Sequence, residues 1–346
     1  MLKIINFISG KDFGGPKQSF LLYSKVLKEL NYDITAIIRK KAKLSLELSM
    51  QNIAFEEIDY LRTTLPFFKE LAIKKIKAKF APFKADIILV HKQIDIELVK
   101  EALPTTKVIG VIHGFNAKNI DKADALIAVS NKIKEFLKKS GYKKPIYVIP
   151  NMIENFNPIK FKEFSNPVII GSMGVFRRKK GFHTLIEALA ILKQKQLPFY
   201  AIIAGRGQRV WYYRYLQKKY NLEKNLEFKK WIPTHQKEEF LDNLDIYVLP
   251  SRTESFGMVV AEAMGRAKVV VATKCGGPEE IIDDKINGFL VENQNPKALA
   301  NQLEEIIKKK NHTQIQKAAY TKAMQEYDIK SVKKKLDDTI KEVFNG

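Results

Sequence analysis

Asp245-Ile-Tyr-Val-Leu-Pro250-Ser-Arg-Thr-Glu254-Ser-Phe-Gly257-Met-Val-Val-Ala-Glu262-Ala-Met264 joins a short apolar run to a helical pattern through a polar turn. The run before Pro250 is rich in strand formers and reads as a buried parallel strand. A helix is expected from about Ser255. Its first turn leaves backbone N–H groups at Phe256, Gly257, Met258 and Val259 without intrahelical partners. With the positive end of the helix dipole, these form a site for a phosphate, and Gly257 lets a ligand come close. If the whole stretch were helical, Glu254 and Glu262 would lie about 12 Å apart along the axis, at about 1.5 Å per residue. That is wider than the carboxylate pair of a glycoside hydrolase and argues against two-carboxylate hydrolysis. An anion at the helix tip with a hydroxyl-rich group beside each carboxylate fits the pattern. An ordinary amphipathic helix with two exposed glutamates fits the spacing as well.

Outward from this junction the chain alternates strands and helices, which predicts an α/β architecture built on parallel sheets. Strands are expected near residues 2–8, 33–38, 86–90, 107–112 and 124–129. After a break at 155–167, where Asn, Pro, Ser and charged residues replace periodic apolar ones, a second series is expected from 168 and at 199–204, 245–249 and 268–272. Two doubly wound domains joined by one linker, residues 1–157 and 158–327, are the simplest topology. The stretch 328–346 reads as a basic helix.

Polar residues follow these strands directly: His91, His113-Gly114, Ser130, Gly205 and Ser251. Ligands of open α/β sheets bind beyond the carboxyl ends of strands, so these residues are expected to line one cleft. His113 is either a ligand-facing histidine or one satisfied by a loop carbonyl. Two glycine-bearing loops lie at strand-to-helix junctions. Gly10-Lys-Asp-Phe-Gly14-Gly15 is not the dinucleotide fingerprint, and reads as a phosphate or acceptor approach or as a plain turn. Gly171-Ser-Met-Gly-Val-Phe-Arg177-Arg178-Lys179-Lys180-Gly181 carries four successive cations that cannot all face one diphosphate, so some of them are solvated.

Length and composition bound the remainder. The 346 residues leave room for two domains, and 45% apolar content fills both cores. The single cysteine, Cys275, allows no intrachain disulfide and points to a reducing compartment. The stretch 2–10 is too short for a signal peptide and reads as a first strand, and no apolar run is long enough to cross a bilayer. No Asp-x-Asp triplet occurs and the five histidines lack metal-ligand spacing, so no metal and no cofactor are expected.

The net charge is +22, and residues 1–150 carry 27 Lys or Arg against 15 Asp or Glu. The balance is seven to one within 61–84, a segment that mixes phenylalanines with lysines. Such a segment is either a basic amphipathic helix lying on an anionic bilayer or a solvated helix in a lysine-rich protein. No recognised nucleic-acid module appears and the basic residues are spread over both halves, so no nucleic-acid partner is expected.

In order and spacing, several segments together resemble the retaining glycosyltransferases of family 4. They are Glu254-Ser-Phe-Gly-Met-Val-Val-Ala-Glu262-Ala, Gly276-Gly277-Pro-Glu-Glu-Ile281, Asn287-Gly-Phe-Leu-Val291, Lys180-Gly181-Phe182, Ile149-Pro-Asn151, Val129-Ser130 and Gly14-Gly15. The pattern is most similar to bacterial enzymes acting on lipopolysaccharide core or phosphatidylinositol, through Phe13-Gly14-Gly15-Pro16-Lys17-Gln18.

The resemblance implies the GT-B fold, two Rossmann-like domains facing across a cleft, with helix 328–346 crossing back to the first. The first domain would bind the acceptor and the second the nucleotide sugar. The resemblance also implies that Lys180 is the phosphate lysine. The family's usual arginine after Gly174 is replaced by Val175, so Arg177 or Arg178 would supply that charge. Glu262 would hold ribose hydroxyls, and Glu254 the transferred sugar. Backbone near Trp231-Ile232 would hold the base, Gly14 and Gly15 the diphosphate or acceptor, and His113 the sugar near the acceptor.

The activity implied is retaining, metal-independent transfer of a hexose or N-acetylhexosamine, by preference from a UDP-sugar, to a cell-envelope glycan or lipopolysaccharide. The protein would be cytoplasmic, held peripherally on the inner face of the cytoplasmic membrane. A nucleotide-sugar epimerase of similar fold, or a non-catalytic glycan- or polyanion-binding protein, are the alternatives.

Overall fold

The computed structural model describes residues 1–10, 14–61, 66–154, 159, 161–309 and 311–346. Parts of three segments discussed above lie outside the described residues: Lys11, Asp12 and Phe13 of the first loop, residues 62–65 of the basic segment, and residues 155–158 with Lys160 of the break. The chain divides into two compact units, Met1–Met152 with Ile329–Gly346, and Ile153–Asp328.

In the first unit the strands are β1 (Lys3–Ile8), β2 (Asp33–Arg39), β3 (Phe55–Ile58), β4 (Ile87–Val90), β5 (Lys107–Ile112), β6 (Ala125–Ala128) and β7 (Ile146–Val148). They form one parallel sheet in the order β3-β2-β1-β4-β5-β6-β7. In the second unit β8 (Val168–Val175), β9 (Phe199–Arg206), β10 (Leu226–Lys229), β11 (Ile246–Leu249), β12 (Val269–Thr273) and β13 (Phe289–Val291) pair in parallel as β10-β9-β8-β11-β12-β13. Both sheets have the Rossmann-like order, with a switch point beside the first strand of each series, between β1 and β4 and between β8 and β11.

Central strands such as Ile87-Ile-Leu-Val90 are buried along their whole length, as a parallel sheet covered on both faces requires. In the second unit Ile170, Ile203, Val248 and Val271 from the sheet pack with Leu185, Leu189, Leu299 and Leu303 from helices. In the first, Leu89, Ile109 and Ile127 share a core with Val332, Leu336 and Ile340 of the C-terminal helix Ile329–Asn345. That helix therefore belongs to the first unit although it follows the second in sequence. Full burial of Leu336 and Ile340 contributes about 1.5–3 kcal/mol each. Two hydrogen bonds add orientation, Tyr32 Oη to Asp337 Oδ1 at 2.5 Å and Tyr147 Oη to Glu342 Oε1 at 2.7 Å.

The helix over the basic segment, Pro66–Phe80, buries Ala72, Ile76 and Phe80 and exposes Phe67, Phe68 and Leu71. Lys69 is held by Glu97 and Glu101, and Lys79 by Glu56. Lys74, Lys75 and Lys77 are exposed. Among the described residues no helix is long and apolar enough to cross a membrane.

Candidate functional site

The loops that leave the carboxyl ends of β8 and β11 flank the switch point of the second sheet. After β8 the chain turns through a short 3-10 segment, Arg178–Lys180, and enters helix Phe182–Gln194 through Gly181. Gly181 has φ +65°, a left-handed conformation, and a Cβ there would sit 1.7 Å from the carbonyl oxygen of Pro250, at the end of β11. Only glycine satisfies both conditions. This contact presses the two loops together, and Arg252 N donates to the Lys179 carbonyl at 2.7 Å.

The consequence is an ion pair between Lys180 Nζ and Glu254 Oε2 at 2.5 Å, with both side chains about four-fifths buried. The Ser251 hydroxyl reaches the same carboxylate oxygen at 3.4 Å. Glu254 is held by its backbone as well: its N–H donates to Cys275 O and its carbonyl accepts from Gly277 N, both at 2.8 Å. A site dependent on Glu254 is thereby tied to the loop after β12. Burial pushes the Cys275 thiol up to about 12, with the Glu254 and Glu279 carboxylates adding to the shift.

The helix expected from Ser255 begins at Met258 and runs to Gly265. The reason is Gly257, whose φ of +99° breaks the helical path and makes it the N-cap. Met258 and Val259 open the helix, while Val260 and Ala261 already donate to the Gly257 carbonyl. Phe256 lies before the helix, buried edge-on against Tyr327 at 5.5 Å. Glu254 is thus on an extended bridge with Gly276, and only Glu262 is helical. Glu262 is buried and pairs with Lys237 Nζ at 2.6 Å. Burial holds the Tyr247 phenol up, and the negative fields of Glu262 and Glu254 add to the shift.

Arg177, Arg178 and Lys179 are exposed on the loop after β8. The His183 imidazole is held down by burial and then by the fields of Arg252, Arg178 and Arg209. These arginines, from the loops after β11, β8 and β9, gather positive charge around His183 at the carboxyl ends of the central strands. Ile232 is half-buried after β10, beside Trp231, whose ring carries the Arg206 guanidinium at 4.7 Å.

In the first unit Gly14 caps helix Gly15–Glu29 in an extended conformation, with open space where a side chain would be. Ser130 is occupied as an N-cap, accepting from Ile133 N at 3.3 Å. His113, after β5, lies 3.1 Å from His91, after β4. Burial and the Lys92 charge pull His113 down to about 3.

Sequence reasoning missed Lys237, Arg206, Arg209, Arg252 and the part played by His91. Arg206 and His91 carried a usable signal, since each ends or follows a strand; Lys237 carried none. Among the described residues, no group of three His, Cys, Asp or Glu is arranged to hold a metal ion.

Residues 154–322 match the family described as Glycosyl transferases group 1. Over 317 residues the chain is 25% identical to the lipopolysaccharide core biosynthesis glycosyltransferase LpsE of Rhizobium meliloti, covering 88% of this chain and 89% of that one. It is 34% identical over 161 residues to the uncharacterized glycosyltransferase YqgM of Bacillus subtilis, covering 46% and 44%. It is 26% identical to the putative colanic acid biosynthesis glycosyltransferase WcaL of Escherichia coli, covering 64% and 61%. Among solved structures, Anabaena HepE in complex with UDP and glucose superposes with a TM-score of 0.84 at 20% identity, over 99% of this chain and 100% of that one. A glycosyltransferase from Rickettsia africae gives 0.84 at 22% identity, over 99% and 98%. Residues 154–322 are a glycosyl transferases group 1 domain, and the chain that carries them has the GT-B fold of two Rossmann-like units.

Proposed function

We propose that the protein is a retaining glycosyltransferase that moves a hexose or N-acetylhexosamine from a nucleotide sugar, by preference a UDP-sugar, to a hydroxyl of a cell-envelope glycan or glycolipid such as lipopolysaccharide. The observation that supports this reading best is the Lys180–Glu254 pair at the switch point of the second sheet. It sets a cation for phosphate beside a carboxylate for sugar hydroxyls before any ligand arrives. HepE, a structural neighbour, binds UDP and glucose, and LpsE is named for lipopolysaccharide core synthesis.

In this reading the bond between the anomeric carbon and the diphosphate breaks, and its electron pair stays on the phosphate oxygen. Lys180, the arginine supplied by Arg177 or Arg178, and the N–H groups of Met258 and Val259 stabilise that charge without a metal. Glu254 orients the transferred sugar, Glu262 the ribose, and the backbone at Ile232 the base. Phe256 and Gly257 shape the turn on which the diphosphate rests. The acceptor hydroxyl attacks on the face the diphosphate leaves, and its proton passes to the departing phosphate oxygen, the base that same-face attack places next to it. Gly14 and Gly15 serve the donor diphosphate or the acceptor, and His113 the transferred sugar near the acceptor.

The exposed Phe67, Phe68 and Leu71 beside Lys74, Lys75 and Lys77 support peripheral binding to the anionic inner face of the cytoplasmic membrane. Calorimetry against UDP, GDP, ADP and their sugar conjugates, with and without chelator, tests the donor. Selective, chelator-insensitive binding of one sugar nucleotide, and a product with retained anomeric configuration by proton NMR, is the expected result. Absence of binding to every conjugate would overturn the reading.

A further inference from the structure

We propose that Asn6 and His91 are a positioning pair that fixes the tautomer of His113, so that His113 meets its substrate with Nδ1 as a hydrogen-bond acceptor; the substrate half of this statement rests on the transfer reading above. The hydrogen-bonded chain is anchored at a backbone carbonyl. Asn6, buried in β1, donates from Nδ2 to Phe20 O at 3.2 Å and to Ser24 Oγ at 2.8 Å. Ser24 Oγ itself donates to Phe20 O at 3.0 Å, so its oxygen is left to accept. A peptide carbonyl only accepts, and this decides which end of the Asn6 amide faces the helix. Oδ1 therefore faces His91, 2.9 Å from Nε2.

Oδ1 only accepts, so His91 Nε2 carries the proton. His91 is 2% exposed, and burial, followed by the His113 and Lys92 charges, holds it neutral. A neutral imidazole has one proton, so His91 Nδ1 is a lone pair. It lies 3.1 Å from His113 Nε2, which must then be the donor. His113, also neutral, keeps its lone pair on Nδ1. The two imidazoles are nearly parallel, at 19° with centroids 5.3 Å apart, so they meet edge to edge along the N–H···N line, and Phe20 and Tyr23 stand edge-on to His91, limiting its rotation.

The order of donors thus runs from His113 through His91 and Asn6 to a carbonyl of helix Gly15–Glu29. A lone pair at Nδ1 suits a group that donates, such as a sugar or acceptor hydroxyl. The weak basicity of His113 makes it a group that orients that hydroxyl rather than one that removes its proton.

The test is the 15N spectrum of the ligand-free protein labelled at histidine, with His113 assigned by its loss in His113→Gln. The wild-type protein is expected to show His113 with a protonated Nε2 and an unprotonated Nδ1. His91→Gln presents an acceptor oxygen to His113 and an N–H to Asn6, and is expected to keep that tautomer. His91→Phe keeps the ring but offers neither, and is expected to mix the two tautomers and to lower kcat/KM roughly tenfold, the scale of one net hydrogen bond. A protonated Nδ1 in the wild-type spectrum overturns the proposal without any variant having to fold. An unchanged tautomer in folded His91→Phe overturns the role of His91. Because the spectra need no donor, a correct tautomer without transfer activity would refute the function and leave the positioning pair standing.

Discussion

Replacing Gly181 by alanine probes the contact on which the second unit's site is built. The added methyl would stand 1.7 Å from the Pro250 carbonyl oxygen, where an ordinary contact needs more than 3 Å. The φ of +65° adds a left-handed penalty of about 1–2 kcal/mol for a residue with a Cβ. Relieving the overlap requires the backbone of one loop to move by more than 1 Å, and overpacking of this kind costs about 1–3 kcal/mol. Gly181→Ala is therefore expected to destabilise the second unit by about 2–5 kcal/mol. At about 2–4 °C per kcal/mol for a unit of this size, the melting transition should fall by several degrees or more.

Function should fall further than stability implies. The same displacement separates Lys180 from Glu254, whose nitrogen and oxygen are now 2.5 Å apart, so sugar-nucleotide affinity measured on the folded fraction should drop at least tenfold. Differential scanning calorimetry and titration of the surviving folded protein measure the two effects separately. A variant with wild-type melting temperature would show that the loop contact is not under strain. A destabilised variant with unchanged donor affinity would show that the contact does not hold the ion pair in register.

Three further outcomes are expected. Glu262→Ala removes the partner of Lys237 and, in the proposed site, the ribose contact, so it should weaken nucleotide-sugar binding roughly tenfold while circular dichroism stays native; unchanged affinity would remove that role. His113 is pulled from about 6.5 to about 3 and His91 is lowered well below its ordinary value, so between about pH 6.5 and 3 the unfolded chain binds protons that the native state does not. Stability should therefore fall as pH falls through that window, and the fall should be shallower in His113→Gln; parallel urea midpoints for the two proteins from pH 7 to 4 would contradict this. Cys275, buried and with its thiol raised to about 12, should resist maleimide at pH 7.5 in the native protein and react when urea is added; rapid native labelling would show that the loop after β12 opens.

The strands that sequence reasoning located are the central ones, and the four it passed over are β3, β7, β10 and β13, the edges of the two sheets. An edge strand is covered on fewer sides, so β3 and β10 are mixed in composition, Phe55-Glu-Glu-Ile58 and Leu226-Glu-Phe-Lys229 lacking the continuous apolar run of Ile87-Ile-Leu-Val90, while β7 and β13 are apolar but only three residues long. The helix start was misplaced by three residues because the capping residue is a glycine whose left-handed backbone cannot be read from composition. Sequence places His91 after a strand but assigns it no role of its own, for a related reason. Its meaning comes from Asn6, 85 positions away.

Apolar periodicity is a local property, so the sequence by itself determined the parallel α/β class, the break between two series of strands, and the set of polar residues that follow strand ends. Which of those residues meet was decided only by tertiary structure. Strand order puts β8 beside β11, and so brings Lys180 to Glu254 across 74 positions of chain; it likewise puts β4 between β1 and β5, stacking Asn6, His91 and His113 in one hydrogen-bonded line. The physical reason is that a strand's own residues specify its burial, whereas its neighbours are selected by the packing of the whole sheet.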